Sequence, residues 1–111
     1  MGKYRKLLAE TEEYFGRFAK ESPAQITGFS NFMKAVEAKG ALDAKQKELI
    51  AIGCSVVSHC EKCISFHVDA ALKAGAKREE ILESAWVAVL MGGGPALMYA
   101  QCVLEALDEF K

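Results

Sequence analysis

Residues 43–75 read DAKQKELIAIGCSVVSHCEKCISFHVDAALKAG, and this stretch decides the fold. Asp43 is a strong N-cap, and Gln46 three residues later completes a capping-box-like pair. One polar turn follows, made of Lys45, Gln46, Lys47 and Glu48. From Leu49 to Cys60 no acidic or basic side chain occurs except His59. An apolar run of that kind predicts a helix buried on nearly all sides. A short break near Ser58–His59 starts the next helix at Cys60, and Gly75 supplies the glycine that ends it.

The second of these helices carries chemistry. Cys60, Cys63 and His67 form a C-x-x-C-x-x-x-H run. Spacings of three and four put all three side chains on one helix face. A dithiol with an imidazole one turn away can form a disulfide, hold a thiolate and move a proton. Cys60 sits at or beside a helix N-terminus, where unpaired N–H groups and the dipole favour an anion. A free thiol titrates near about 8.5, and such surroundings can lower it to roughly 3.5–7.5. The thiolate is the nucleophile toward peroxides and disulfides, and a C-x-x-C pair can close after the first oxidation. His67 stands one turn beyond Cys63, where it could take the thiol proton. Glu48 opens the preceding helix. If the two helices pack together, its carboxylate can orient His67 or feed a proton to it.

On either side of this stretch the chain stays helical. Thr occurs only at positions 11 and 27, alternating β-branched runs are absent, and Ala, Leu, Glu and Lys dominate. A first amphipathic helix covers about Lys3 to Lys20. Ser22 and Pro23 give the N-cap and N1 signature of a second, which runs to about Lys39 with Gly28 as a possible break. Beyond Gly75, helices are expected over Arg78 to Met91 and Pro95 to Phe110. The reading is all-α, with about six helices. No internal repeat, low-complexity tract or linker divides the 111 residues, which are read as a single domain, 1–111.

Composition narrows the function. The 51% hydrophobic content exceeds the soluble average, and the excess predicts apolar surface that meets another subunit. A net charge of −1 argues against a nucleic-acid or anionic-membrane partner. Met1 to Lys6 is basic, but Leu7 to Glu13 is no apolar core of a signal peptide, so a cytoplasmic chain is expected. In that compartment C-x-x-C reads as redox or metal chemistry rather than as a disulfide scaffold. Cys54 and Cys102 lie in apolar runs and are expected to be buried and inert. Ser84 to Leu104 holds 21 residues without a formal charge, the length of a membrane span. Gly92, Gly93, Gly94 and Pro95 break its centre, so two short buried helices fit better than a span.

Glu48, then Cys60 twelve residues on, then Cys63 and His67, followed by the glycine at 75 and the glycine-rich turn at 92–94, is a specific pattern. It resembles the alkyl hydroperoxidase D-like branch of the carboxymuconolactone decarboxylase superfamily, over roughly residues 30 to 107. The resemblance implies an all-helical fold assembled into homotrimers or homohexamers. It implies thiol-dependent reduction of alkyl hydroperoxides, with no cofactor and with an external dithiol or thiol protein as electron donor. It makes Cys63 the residue that attacks peroxide, Cys60 the one that resolves the sulfenic acid, and Glu48 with His67 a proton relay. One position departs from the pattern. Lys62 stands where full-activity members carry a second histidine. An ammonium there favours a nearby thiolate but moves protons poorly at pH 7. His59 is a candidate stand-in.

Other readings stand beside this one. The two cysteines could be small core residues, commonly buried when free. His59, Cys60, Cys63 and His67 could bind zinc, although structural zinc sites usually join two ligand pairs across a loop and no second pair is present. Lactone decarboxylation is the other chemistry of the superfamily, but its plain decarboxylases lack the cysteine pair. Ile64 after Cys63 excludes a c-type haem motif, and no Lys-Ser/Thr follows the glycine run to make a phosphate loop. Phe29, Phe32, Met33, Trp86, Met91, Met98 and Tyr99 are read as core or subunit contacts, some of them able to line an apolar approach to the thiols.

Overall fold

A computed structural model describes residues 2–110. Five helices follow one another: α1 (Lys3–Glu21), α2 (Pro23–Glu37), α3 (Ala44–Val57), α4 (Glu61–Lys73) and α5 (Arg78–Glu109). No strand occurs among the described residues, as the all-α reading expects.

The signals at Asp43 and Gly75 act as their chemistry requires, while Ser22 takes the N-cap position of α2 without a side-chain cap bond. Asp43 Oδ1 accepts from Gln46 N–H at 2.8 Å, and Gln46 Oε1 accepts from Asp43 N–H at 2.9 Å, so the capping box starts α3. At the end of α4, Ala76 N–H donates to Ala71 O at 2.9 Å and Gly75 N–H to Leu72 O at 3.0 Å. That pair of bonds needs a left-handed residue, and Gly75 supplies it at φ 91°. Gly28 does not interrupt α2, because neighbouring residues carry the helix through it.

All six expected helices are present, with the last two run together as α5. The expected helices 78–91 and 95–110 are the two arms of α5, kinked at Gly93 with φ 69° and ψ −149°. Glycine reaches that conformation without a Cβ clash, and Pro95 adds a missing N–H just beyond it.

The core sits where α3, α4 and α5 meet. Ile52 and Val56, Ile64 and Val68, and Ile81 and Val103 are all fully buried. Burying a side chain of this size stabilises a fold by about 1.5–3 kcal/mol. Among the helix pairs, α3 and α5 share the most extensive contact, followed by α3 and α4. The first helix lies on α4, with Tyr4 fully buried and Ser65 Oγ donating to Tyr4 O at 2.7 Å. The leading amides of α1 are capped from the far end of the chain. Glu109 accepts from Tyr4 N–H at 3.1 and 3.0 Å and from Arg5 N–H at 3.1 Å. The second helix buries no residue of its own and packs mainly on α1.

Three burial expectations are corrected. The third helix is not covered on nearly all sides: Ile50, Cys54 and Val57 are exposed. These positions recur at helical spacing and form a face that borders α5 but is left open beside it. Cys54 is therefore an exposed thiol, while Cys102 is half-buried. The long apolar helix α5 likewise turns much of its surface outward, with Leu90 81% and Met91 78% exposed. By length and composition it could cross a membrane, and only 17% of its apolar window is covered by the rest of this chain.

Candidate active site

The site is built where α3 and α4 cross. Ser58–His59 breaks the run between them, with His59 at φ 57°, and the chain re-enters a helix with Cys60 as N-cap. Cys60 Sγ accepts from Cys63 N–H at 3.1 Å, as an oxygen would in an ordinary cap. Any negative charge on that sulfur faces the unpaired amides of the first turn. The two sulfurs are bonded to each other, with Cα atoms 5.2 Å apart, so this is the oxidised form of the pair.

Glu48 and His67 meet although nineteen residues separate them. His67 Nδ1 lies 2.7 Å from Glu48 Oε2. Glu48 is buried and the His67 side chain is 25% exposed. A buried carboxylate needs a partner, and the imidazole supplies one. With the carboxylate ionised, Nδ1 carries the hydrogen and donates, which leaves Nε2 as the accepting nitrogen. The Phe66 ring meets the imidazole edge-on, with centroids 5.1 Å apart.

Cys63, Glu48 and His67 open on one recess of about 460 Å³. Its walls are apolar: Phe15 from α1, Phe29, Phe32 and Met33 from α2, and Phe66 from α4. Phe29, Phe32 and Met33 thus line an approach to the thiols, while Trp86, Met91 and Met98 lie on the exposed side of α5. Cys60 is not part of the recess wall; Cys63 is.

Lys62 lines the recess while pairing with α1, and His59 is engaged elsewhere. Lys62 Nζ lies 3.7 Å from Glu10 Oε2 and 5.3 Å from the centre of the Tyr14 ring. His59 stacks on Tyr99, with centroids 4.6 Å apart and planes 6° from parallel, and does not line the recess. It is therefore no stand-in for a second histidine at this recess. The same stacking takes His59 away from the four-residue set a zinc ion would need. Among the described residues no group of three or more His, Cys, Asp or Glu is arranged to hold a metal.

Sequence reasoning passed over three residues. Glu61 holds Lys3 Nζ at 2.7 Å and accepts from Tyr4 Oη at 3.2 Å. The Lys3 ammonium holds its carboxyl below the usual range, and the Tyr4 hydroxyl adds to this, against the opposing effect of burial. Burial, followed by contact with Cys102, pushes the Tyr4 phenol up. Glu37, at the end of α2, reaches Glu48 at the recess, and burial first and that carboxyl second push it above the usual range. Lys47 grips the end of α2. None of these carried a sequence signal, because each depends on which helix ends meet.

Comparison with known proteins agrees with this architecture. Residues 23–106 match the model of the carboxymuconolactone decarboxylase family. An uncharacterised protein of Cupriavidus necator is 39% identical over 101 residues, covering 91% of this chain and 89% of its own length. An uncharacterised protein from the cox locus of Paracoccus denitrificans is 43% identical over 81 residues, 73% of each chain. Among solved structures, a carboxymuconolactone decarboxylase family protein from Legionella pneumophila superposes with a TM-score of 0.93 at 45% identity, covering 96% of both chains. Another family protein, from Thermotoga maritima, for which an antioxidative role has been suggested, superposes at 0.83 with 28% identity, covering 92% of this chain and 87% of that one. With three-quarters of its length inside the family pattern and the same helical frame around its cysteine pair, the chain belongs to the carboxymuconolactone decarboxylase family.

Proposed function

We propose that this chain is a thiol-dependent peroxidase that reduces organic hydroperoxides through its Cys60–Cys63 pair. The observation that carries the reading is the convergence of Cys63, His67 and Glu48 on one apolar recess, with Cys60 in bonding contact with Cys63. In the reduced protein, His67 Nε2 takes the Cys63 proton and Glu48 steadies the resulting imidazolium. The thiolate attacks the terminal peroxide oxygen. The O–O bond breaks, a sulfenic acid forms on Cys63, and the alkoxide leaves as alcohol with the proton returned by His67. Cys60 then attacks the Cys63 sulfur, an S–S bond forms and water departs. An external dithiol or thiol protein supplies two electrons and two protons to reopen the pair, so the cycle needs no cofactor. The N-cap position supports thiolate character at Cys60, which suits it both to attack the sulfenic acid and to leave during reduction.

The apolar recess walls favour an alkyl or aryl group on the peroxide over the small, polar hydrogen peroxide. The outward apolar face of α3 and α5 supports a homotrimer or homohexamer rather than a free monomer. The mixed surface charge fits a cytoplasmic protein that uses neither nucleic acid nor a membrane as partner. The suggested antioxidative role of the Thermotoga maritima relative lies in the same direction.

The test is peroxide turnover with a dithiol donor for the wild type, Cys60→Ser and Cys63→Ser, with a sulfenic-acid trap. Both variants are expected to lose catalytic turnover, and only Cys60→Ser is expected to give a trapped adduct, on Cys63. Turnover that survives Cys63→Ser would defeat the reading.

A further inference from the structure

Glu37 is the last residue of α2 and is half-buried. It opens on the same recess as Cys63, Glu48 and His67. Its position is not left to a flexible helix end. Lys47 Nζ donates to Val36 O at 2.6 Å and to Ala38 O at 2.5 Å, the carbonyls on either side of Glu37. Lys47 is also the chain neighbour of Glu48. One ammonium therefore ties the last turn of α2 to the first turn of α3, where it also meets the negative end of the α2 dipole. This clamp holds Glu37 on the recess that Glu48 also lines.

Like charges held side by side at one recess disfavour each other, so one of the two carboxyls tends to keep its proton. The partner of Glu48 on its other side decides which one keeps it. Glu48 Oε2 already faces His67 Nδ1 at 2.7 Å and serves best as the acceptor. We propose that Glu37 is a positioning residue for the Glu48–His67 pair: as a neutral acid it donates a hydrogen bond to the Glu48 carboxylate and fixes where that carboxylate points. Its effect on turnover rests on the peroxidase reading; the proton kept on Glu37 does not. The ionisable groups facing Glu37 are Glu48 and Lys47 from α3 and His67, Lys62 and, once reduced, Cys63 from α4, while α1 presents only Thr11 and Phe15 to the recess. Raising the pH until Glu37 ionises places a second negative charge against Glu48. The two carboxylates separate, and His67 loses its fixed partner. The reactivity of Cys63 therefore carries an inflection that belongs to Glu37 and lies above the ordinary glutamate value of about 4.3.

The experiment is alkylation of the fully reduced protein by iodoacetamide across pH. Tryptic cleavage after Lys62 isolates Cys63 on peptide 63–73, apart from Cys54 and Cys60. Glu37→Gln keeps an N–H donor toward Glu48 but cannot ionise. It is expected to stay within about two-fold of the wild-type rate on the acid side of the Glu37 inflection and to lose that inflection. Glu37→Ala removes the donor and is expected to slow Cys63 alkylation about ten-fold, the worth of one hydrogen bond to a charged group. An alanine variant that matches the wild type in rate and profile would overturn the proposal. So would a glutamine variant that keeps the inflection, and that arm decides alone if the alanine variant does not fold. If the wild type turns over no peroxide while Cys63 follows this pattern, the peroxidase reading falls and the role of Glu37 stands.

Discussion

His67 Nδ1 and Glu48 Oε2 are 2.7 Å apart, and this contact joins the cysteine-bearing helix to the only buried carboxylate among the described residues. The pair is expected to act as one proton acceptor for Cys63. Glu48→Gln keeps the shape but removes the charge that steadies the imidazolium. It should lower kcat/KM for a hydroperoxide by about 10- to 100-fold, the range for a hydrogen bond to a charged group. His67→Ala removes the acceptor itself and should cost about 100-fold or more. Steady-state rates with a dithiol in excess check both.

Lys62 offers a gain-of-function test. Its ammonium is held by Glu10 and the Tyr14 ring, both on α1. Lys62→His gives up one half-exposed ion pair, a loss of about 1 kcal/mol or less. It places a group that titrates near neutrality beside Cys63. Peroxide turnover at pH 7 should rise; unchanged turnover in a stably folded variant would show that a second histidine is not what this recess lacks.

The wall formed by α2 sets which peroxides bind. Phe32 lines the recess yet is 62% exposed without a ligand, so it has surface to offer one. Phe32→Ala should raise KM for a bulky aryl hydroperoxide about five- to ten-fold, the value of roughly one aromatic contact, and leave hydrogen peroxide unaffected. Paired kinetics on the two substrates separate this from general damage.

Acid should loosen α1 before the rest. The Glu61 carboxyl is held below its usual range, chiefly by Lys3. Its contribution is therefore complete above the ordinary glutamate value and is lost as pH falls through the lowered one. Lys3→Met should lower Tm at pH 7, and the difference from wild type should shrink toward zero as the pH is brought down through that window. A difference that stays constant with pH would assign the effect to packing instead.

The apolar face shared by α3 and α5 should govern assembly. Leu90 is 81% exposed. Leu90→Arg puts a charge there, and sedimentation should report a smaller species than the wild type at equal concentration. Far-UV spectra should stay helical, because the change touches no core residue.

Much of this architecture could be read from residues close together in the chain. Asp43 with Gln46, Ser58–His59, and Gly75 each specify a boundary through neighbours only, and each acts in the structure as local chemistry expects. The grouping of Cys60, Cys63 and His67 was equally legible, since helix periodicity alone sets it. The contact of Glu48 with His67 was conditional on how two helices pack, and the structure meets that condition. Burial was less legible. Hydropathy reports that Ile50, Cys54 and Leu90 are apolar or weakly polar but not which neighbour covers them, and in this chain none does. Glu37, Lys47 and Glu61 look like surface charges in sequence. Their importance comes from helix ends that meet only after folding.

The cap on α1 has a consequence for biosynthesis. Glu109, which satisfies the amides of Tyr4 and Arg5, is separated from them by more than a hundred residues. A ribosome completes the first helix long before it makes the group that seals its leading edge. Nascent α1 therefore stays frayed at its start until the stretch around Glu109 has left the exit tunnel, and closure of that ring follows the synthesis of all five helices.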